Sequence, residues 1–297
     1  MRNLFIVFYC LVSALTIKAN GQDSLWKIQT TDYHGTYYGA TVANGGIGNC
    51  CPVISILPWK EPFSIRHVML NHVFDSATPQ DVSRVLRGIN PFNLQMQING
   101  QTVNGDNISR WEQCIDMKEA THNTHFTCDG KADVSYSICA LRNLPYAGLV
   151  RVEVVALGDM YLTVSNPIEI PDEYKNIGSK LVNVNVNGND IKIVRTWALS
   201  KYREQKVSAS SAFIYDKNSS VQQQYNGSGQ ISISLKKGEK FFFTLLGAVC
   251  TGRDFIDPYN ESDREVIYGA KEGLTRLMDG HRKLWNEMWK GDIVIEG

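Results

Sequence analysis

The sequence carries no excess of charge of either sign. Thirty Lys and Arg balance thirty Asp and Glu in 297 residues, so it offers no electrostatic footprint for nucleic acid or for a strongly acidic partner. It contains no Gly-x-Ser-x-Gly, which excludes the usual nucleophile elbow of a serine hydrolase. None of its cysteines forms a paired Cys-x-x-Cys, which removes the common zinc frameworks. Beyond the first 21 residues no stretch approaches the roughly 18 apolar residues of a membrane-spanning helix. No internal repeat or low-complexity tract is visible.

What is present is an ordinary globular composition, 43% hydrophobic and 20% charged, long enough to bury a large core. Residues 1–21 stand apart. Arg2 precedes the apolar run 4–17, and small residues follow at Ala19 and Gly21. This is the pattern of a secretory signal peptide cleaved before Gln22, and it predicts an exported protein, periplasmic or extracellular, with no membrane span after cleavage. Six cysteines then remain: Cys50, Cys51, Cys114, Cys128, Cys139 and Cys250. Export permits disulfides, but the spacing is irregular and a domain of this size does not need them.

Residues 22–261 read as one mainly β domain. Alternating or β-rich runs occur at 26–30, 36–42, 53–57, 67–74, 94–98, 102–103, 108–117, 121–128, 134–141, 150–157, 161–165, 181–187, 191–197, 211–215, 231–235 and 241–249. Asn99-Gly100 turns one pair, and Gly188 to Asp190 is expected to turn another. The polar stretch 216–229 reads as a loop. So many short strands without helical periodicity predict a large antiparallel sandwich.

Residues 262–297 change character. Val266, Ala270, Leu274, Leu277, His281, Leu284 and Met288 recur at helical spacing, widened by Ile267, Met278, Trp285 and Trp289,. Ser262 and Glu265 have the spacing of a capping box. One helix of about 40 Å is therefore predicted up to Trp289, weakened by Gly269, Gly273 and Gly280. Residues 292–297 read as the first strand of a further element, and the apolar stripe is expected to meet a neighbour outside the chain.

Chemistry is sparse. Residues 39–48 are Gly-rich but lack the Lys-Ser/Thr ending of a phosphate loop, so a tight turn is expected. His122, His125 and Cys128 have metal-ligand atoms, yet an offset of three along a strand sends the two histidines to opposite faces. His34, His67, His72 and His281 are scattered. Asp75, Asp106, Asp116 and Asp159 sit near turns, where solvated caps are the default. No catalytic, cofactor-binding or metal-binding residue is therefore assigned, and no cofactor is expected. Trp26, Tyr33, Tyr37, Tyr38, Trp59 and Phe63 cluster early, and most should fill the core, although exposed rings can stack on sugars.

Three segments carry a resemblance. They are Val42-Ala43-Asn44-Gly45-Gly46-Ile47-Gly48, the run from Arg84 through Gly88, Asn90, Pro91 and Phe92 into Leu94-Gln95-Met96-Gln97-Ile98-Asn99-Gly100, and above all His281-Arg282-Lys283-Leu284-Trp285-Asn286-Glu287-Met288-Trp289-Lys290-Gly291 leading to Asp292. Together they resemble the N-terminal domain of glycoside hydrolase family 65, which contains maltose, trehalose and kojibiose phosphorylases and related α-glucosidases. The family's Asn-Gly-Tyr-Leu-Gly stands here as Asn44-Gly45-Gly46-Ile47-Gly48, without the Tyr. The resemblance implies a galactose-mutarotase-like β-supersandwich, then a helical linker on which an (α/α)6 catalytic barrel packs. That barrel, absent from this sequence, would hold the general acid and act on α-linked glucosides. Export favours hydrolysis over phosphorolysis, because a sugar phosphate released outside the cytoplasm is hard to recover. The alternatives are a stand-alone carbohydrate-binding module and a mutarotase-like enzyme, the latter requiring a His and a carboxylate on one concave face. Homodimerisation stays open.

Overall fold

The structure, a computed structural model, describes residues 25–35, 41–44, 54–61, 65–76, 80, 82–216 and 220–291. The signal-like segment, most of the Gly-rich turn, residues 36–40 of the strand expected at 36–42, Cys50, Cys51, Phe63 and the strand expected at 292–297 lie outside the described residues. Within them the chain is mainly β and antiparallel, with two helices near its C-terminal end.

The largest sheet has nine strands, in the spatial order Lys27–Thr30, Ile108–Asp116, Thr121–Cys128, Ala132–Ala140, Ala147–Ala156, Lys240–Thr251, Lys206–Tyr215, Asn189–Ser200 and Tyr174–Val186. Against its inner face lie a five-stranded sheet (Gln222–Tyr225, Gly229–Leu235, Met160–Asn166, Gln95–Ile98, Gln101–Thr102) and a four-stranded sheet (Val42–Ala43, Ile54–Pro58, Ile65–Asp75, Arg84–Arg87). Alternation puts one face of each strand inward: Phe126, Val134, Val152 and Phe243 from the large sheet meet Met96, Leu162, Ile231, Ile56 and Leu70 from the other two in one continuous core,. This is the expected sandwich.

The turns follow from backbone freedom. Asn99 and Gly100 both have positive φ, as a two-residue hairpin requires,. The second expected turn shifts by one residue: Asn187 and Gly188 have positive φ, and Asn189 and Asp190 are already paired with Val186 and Asn185. Two polar strands escape the sequence reading. Gln222–Tyr225 lies inside the expected loop and pairs with Gly229–Leu235, and Arg84–Arg87 pairs with Ile65–Asp75 across an irregularity between Leu70 and Phe74. Lys206–Tyr215 begins earlier than expected because both its faces are covered: Val207, Ala209 and Phe213 enter the sandwich core, while Ser208, Ser210 and Ala212 face the other way.

What covers that outer face is the C-terminal helical unit, and here the sequence expectation needs correction. There are two helices, α1 (Pro258–Glu272) and α2 (Leu274–Trp289), separated by Gly273 at φ 80 and ψ 153. Helix α1 starts before Ser262. Asp257 caps it by accepting from the N–H groups of Tyr259 and Asn260, and Pro258 occupies its first turn, a stronger start than a Ser-x-x-Glu further on. Ser262 is instead buried inside α1, hydrogen-bonded to Ser208 and Ser210. The stripe expected to meet an outside neighbour packs in large part on the chain's own sheet: Val266, Leu277 and Met278 join Leu141, Leu149, Ile193, Leu246 and Ala248 in a second core.

Cys114, Cys128, Cys139 and Cys250 are free thiols. No described helix is long and apolar enough to cross a membrane.

Candidate functional site

Among the described residues, side chains with chemistry collect on several surfaces. The first is the part of the large sheet's outer face that the helices leave bare. Pairing sets Glu112 opposite His125, His125 opposite Ser135, and Ser135 opposite Glu153. A second row runs Cys114, Asn123, Ser137 and Arg151. Together they line an open groove of about 320 Å³. His125 and Glu112 are thus cross-strand neighbours, the pairing that a mutarotase-like reading requires. The two carboxylates, however, are three strand spacings apart, about 14 Å, and Glu153 is engaged with Lys240 at 3.1 Å. Glycoside hydrolysis needs an acid and a base roughly 5 to 10 Å apart.

His122 points the other way, into the core, with burial pushing its pKa down to about 4. Cys128 is also buried, and its thiol is pushed up to about 11. The His-x-x-His-x-x-Cys segment therefore splits across the sheet, and among the described residues no three metal-type side chains gather.

The second surface is a groove of about 620 Å³ between the smaller sheets. The Asn90-Pro91-Phe92-Asn93 segment builds one wall. Asn90 donates from Nδ2 to the Ile65 carbonyl (2.9 Å) and to Asn93 Oδ1 (3.0 Å), and its Oδ1 accepts from the Phe92 N–H. Asn166 holds the carbonyls of Pro91 and Asn93 from the other side. Trp59, half-buried, lines the same groove, with the Arg66 guanidinium 5.0 Å from its ring centre. His67, Gln95 and Glu169 complete the polar lining. Asn93 Nδ2 donates to Glu169 at 3.3 Å. Burial first, and then Arg87, lower the pKa of His67.

The third surface is aromatic. Trp285 stacks on Trp289 at 5.8 Å, Trp26 meets Trp289 edge-on at 4.8 Å, and Arg142 sits over Trp285. They border a shallow pocket of about 230 Å³ walled by Val42, Ile115 and Met117.

Other residues weighed from sequence turn out structural. Asn44, buried, donates to the carbonyls of Leu141 and Pro145 at 2.7 and 2.9 Å. Asp75 and Asp116 are buried rather than solvated: Asp75 accepts from the N–H groups of Ser76, Tyr202 and Arg203, and Asp116 from that of Glu119. Asp159 pairs with Lys236 at the surface, and Asp106 is exposed. His34 and His72 are exposed, and His281 is fully buried beside Cys139, whose thiol is pushed far up by burial. Of the early aromatics, Trp26 packs on Trp289 and Tyr33 on Trp111. Trp59 alone among the described ones lines a groove with polar walls. Its partners Arg66, Asn93 and Glu169 were missed because they lie far apart in sequence. The outward polar pairs 112/114, 123/125, 135/137 and 151/153 were legible in principle, as the alternate positions of four successive strands.

The profile of glycosyl hydrolase family 65, N-terminal domain, matches residues 39–288. A kojibiose hydrolase of Flavobacterium johnsoniae is 29% identical over 98% of this chain and 43% of its own length. A kojibiose hydrolase of Mucilaginibacter mallensis is 28% identical over 99% of this chain and 44% of its own. The chain thus spans less than half the length of these curated relatives. A solved structure provisionally described as a kojibiose phosphorylase from human microbiome shares the fold, with a TM-score of 0.63 and 9% identity over 84% of this chain and 35% of that one.

Proposed function

The chain belongs to glycosyl hydrolase family 65 through its N-terminal domain, and from that premise we propose that it is the non-catalytic β-domain of an exported glycosidase acting on α-linked glucosides. In this reading it supports and shapes an active site carried by a separate catalytic domain, which packs on the α1–α2 unit. The observation that carries the proposal is the coverage: nearly the whole chain aligns with under half of each kojibiose hydrolase. Two of the grooves agree with it. The outer-face carboxylates Glu112 and Glu153 are too far apart for paired acid–base work, and the Trp59 groove is lined by one carboxylate, Glu169,.

Hydrolysis rather than phosphorolysis is favoured by the two relatives and by the signal-like N-terminus. The test is to assay kojibiose cleavage by this chain together with its own catalytic domain, with and without phosphate. Cleavage that does not need phosphate supports the reading; strict phosphate dependence overturns the hydrolytic part. His125 beside Glu112 gives one reason to test a mutarotase-like activity directly. Anomer interconversion of glucose by the purified chain is expected to match the uncatalysed rate.

A further inference from the structure

We propose that the Trp59 groove is a saccharide site in its own right, taking one or two rings of a neutral α-linked glucoside. The choice of an α-glucoside rests on the function proposed above; the site itself rests on geometry. A sugar ring has an apolar C–H face and a rim of hydroxyls. It is held best by a flat aromatic surface flanked by fixed donors and acceptors, and the groove provides both. Trp59 gives the platform, and Asn93, Gln95, Glu169, Arg66 and His67 give the rim. Its volume of about 620 Å³ falls within the usual range for small-ligand sites.

The rim is organised before any ligand arrives. The Asn93 carboxamide is engaged at both ends, by Asn90 and Glu169. The Glu169 backbone is bridged to that of Asn90. Groups already held in place lose little entropy on binding. Arg66 is exposed and its guanidinium rests on the indole. A sugar face replaces it over the ring, and the guanidinium turns to donate to vicinal hydroxyls.

Charge selects the ligand class. Arg66 and Glu169 cancel, the two carboxamides are neutral, and burial and Arg87 disfavour the charged form of His67. A phosphate or carboxylate ligand would find no net positive field, whereas a neutral polyol needs none. The outer-face groove and the tryptophan pocket fit less well. The outer-face groove lacks an exposed aromatic platform, since its Tyr136 is buried, and the tryptophan pocket has few hydrogen-bonding walls.

The test is calorimetric titration of the whole chain with kojibiose, maltose and cellobiose, repeated for Trp59→Ala and Glu169→Gln, with thermal melts as a folding control. Saturable binding of kojibiose or maltose that Trp59→Ala weakens by about tenfold or more, and Glu169→Gln by about threefold or more, supports the proposal. Glu169→Gln keeps the backbone bridge and should melt with the wild type, so its loss of affinity cannot come from unfolding. No binding by any of the three sugars, or binding unaffected by both substitutions, overturns the site. Equal, substitution-sensitive binding of cellobiose keeps the site and overturns the α-linked assignment, and with it the support this groove lends to the α-glucosidase reading.

Discussion

The Nδ1 atom of His281 accepts a hydrogen bond from the backbone N–H of Arg142 at 3.1 Å, while its Nε2 donates to the Glu119 carbonyl at 2.9 Å. Both ring nitrogens are used, so the neutral tautomer is fixed and a second proton on Nδ1 would face an N–H. The contact also joins two of the family-like segments. Arg142 donates from its side chain to the Asn44 carbonyl, and the Asn44 carboxamide holds the turn containing Arg142. Helix α2 is thereby locked to the sandwich.

Burial, followed by the nearby Arg282 and Arg142, lowers the pKa of His281, with Glu119 opposing. A histidine depressed in the folded state contributes stability that is complete above its unfolded value near 6.5 and is lost as pH falls. His122, pushed down to about 4 by burial, acts in the same direction. His281→Ala should cost about 2–4 kcal/mol at pH 7.5, from two unpaired backbone groups and a cavity, and should reduce the loss of stability below pH 6.5. Denaturant unfolding at pH 7.5 and 5 measures both.

A second lock lies under α1. Asp263 and Arg195, both buried, pair at 3.3 Å, and Asp263 also accepts from Ser210 at 2.7 Å. Asp263→Ala leaves the guanidinium buried and should cost about 3–5 kcal/mol. The double replacement Arg195→Met with Asp263→Leu should recover much of that loss. Equal destabilisation by the single and double variants would show that the pair is not what matters.

Glu265 behaves oppositely to the histidines. Burial first, with Glu261 adding to it, raises its pKa to about 7, and its Oε2 has no hydrogen-bond partner among the described residues. A carboxyl raised on folding destabilises increasingly as pH climbs from its unfolded value near 4.5 to about 7, and constantly above that. Glu265→Gln should therefore stabilise the chain at pH 8 by ~1–2 kcal/mol and leave it unchanged at pH 4. Melts at the two pH values decide it.

Gly273 sets the angle between the helices. Its φ and ψ fall where residues with a Cβ are strained by about 1–3 kcal/mol. Gly273→Ala should lower the unfolding free energy by that amount and expose Trp285 and Trp289, readable as a red shift in tryptophan emission.

The strands were legible because alternation marks one packed face, as along 94–98 and 161–165, and because Asn-Gly turns leave a local sign. Gln222–Tyr225 was not, since an edge strand with glutamines on both faces has no hydrophobic period. The helix start was misplaced because a Ser-x-x-Glu spacing does not reveal that Ser262 is turned toward Ser208 and Ser210 across the sheet. Trp59 was visible as a candidate, but its groove joins residues 59, 66–67, 93–95 and 169. That union depends on how two sheets meet, which no local window contains.

Glucose release from kojibiose by the purified 297-residue chain tests the central claim most directly. The account predicts release no faster than a buffer blank, with cleavage appearing when the chain is assayed together with its own catalytic domain. Turnover by the chain alone, abolished by Glu112→Gln or Glu169→Gln, would contradict it.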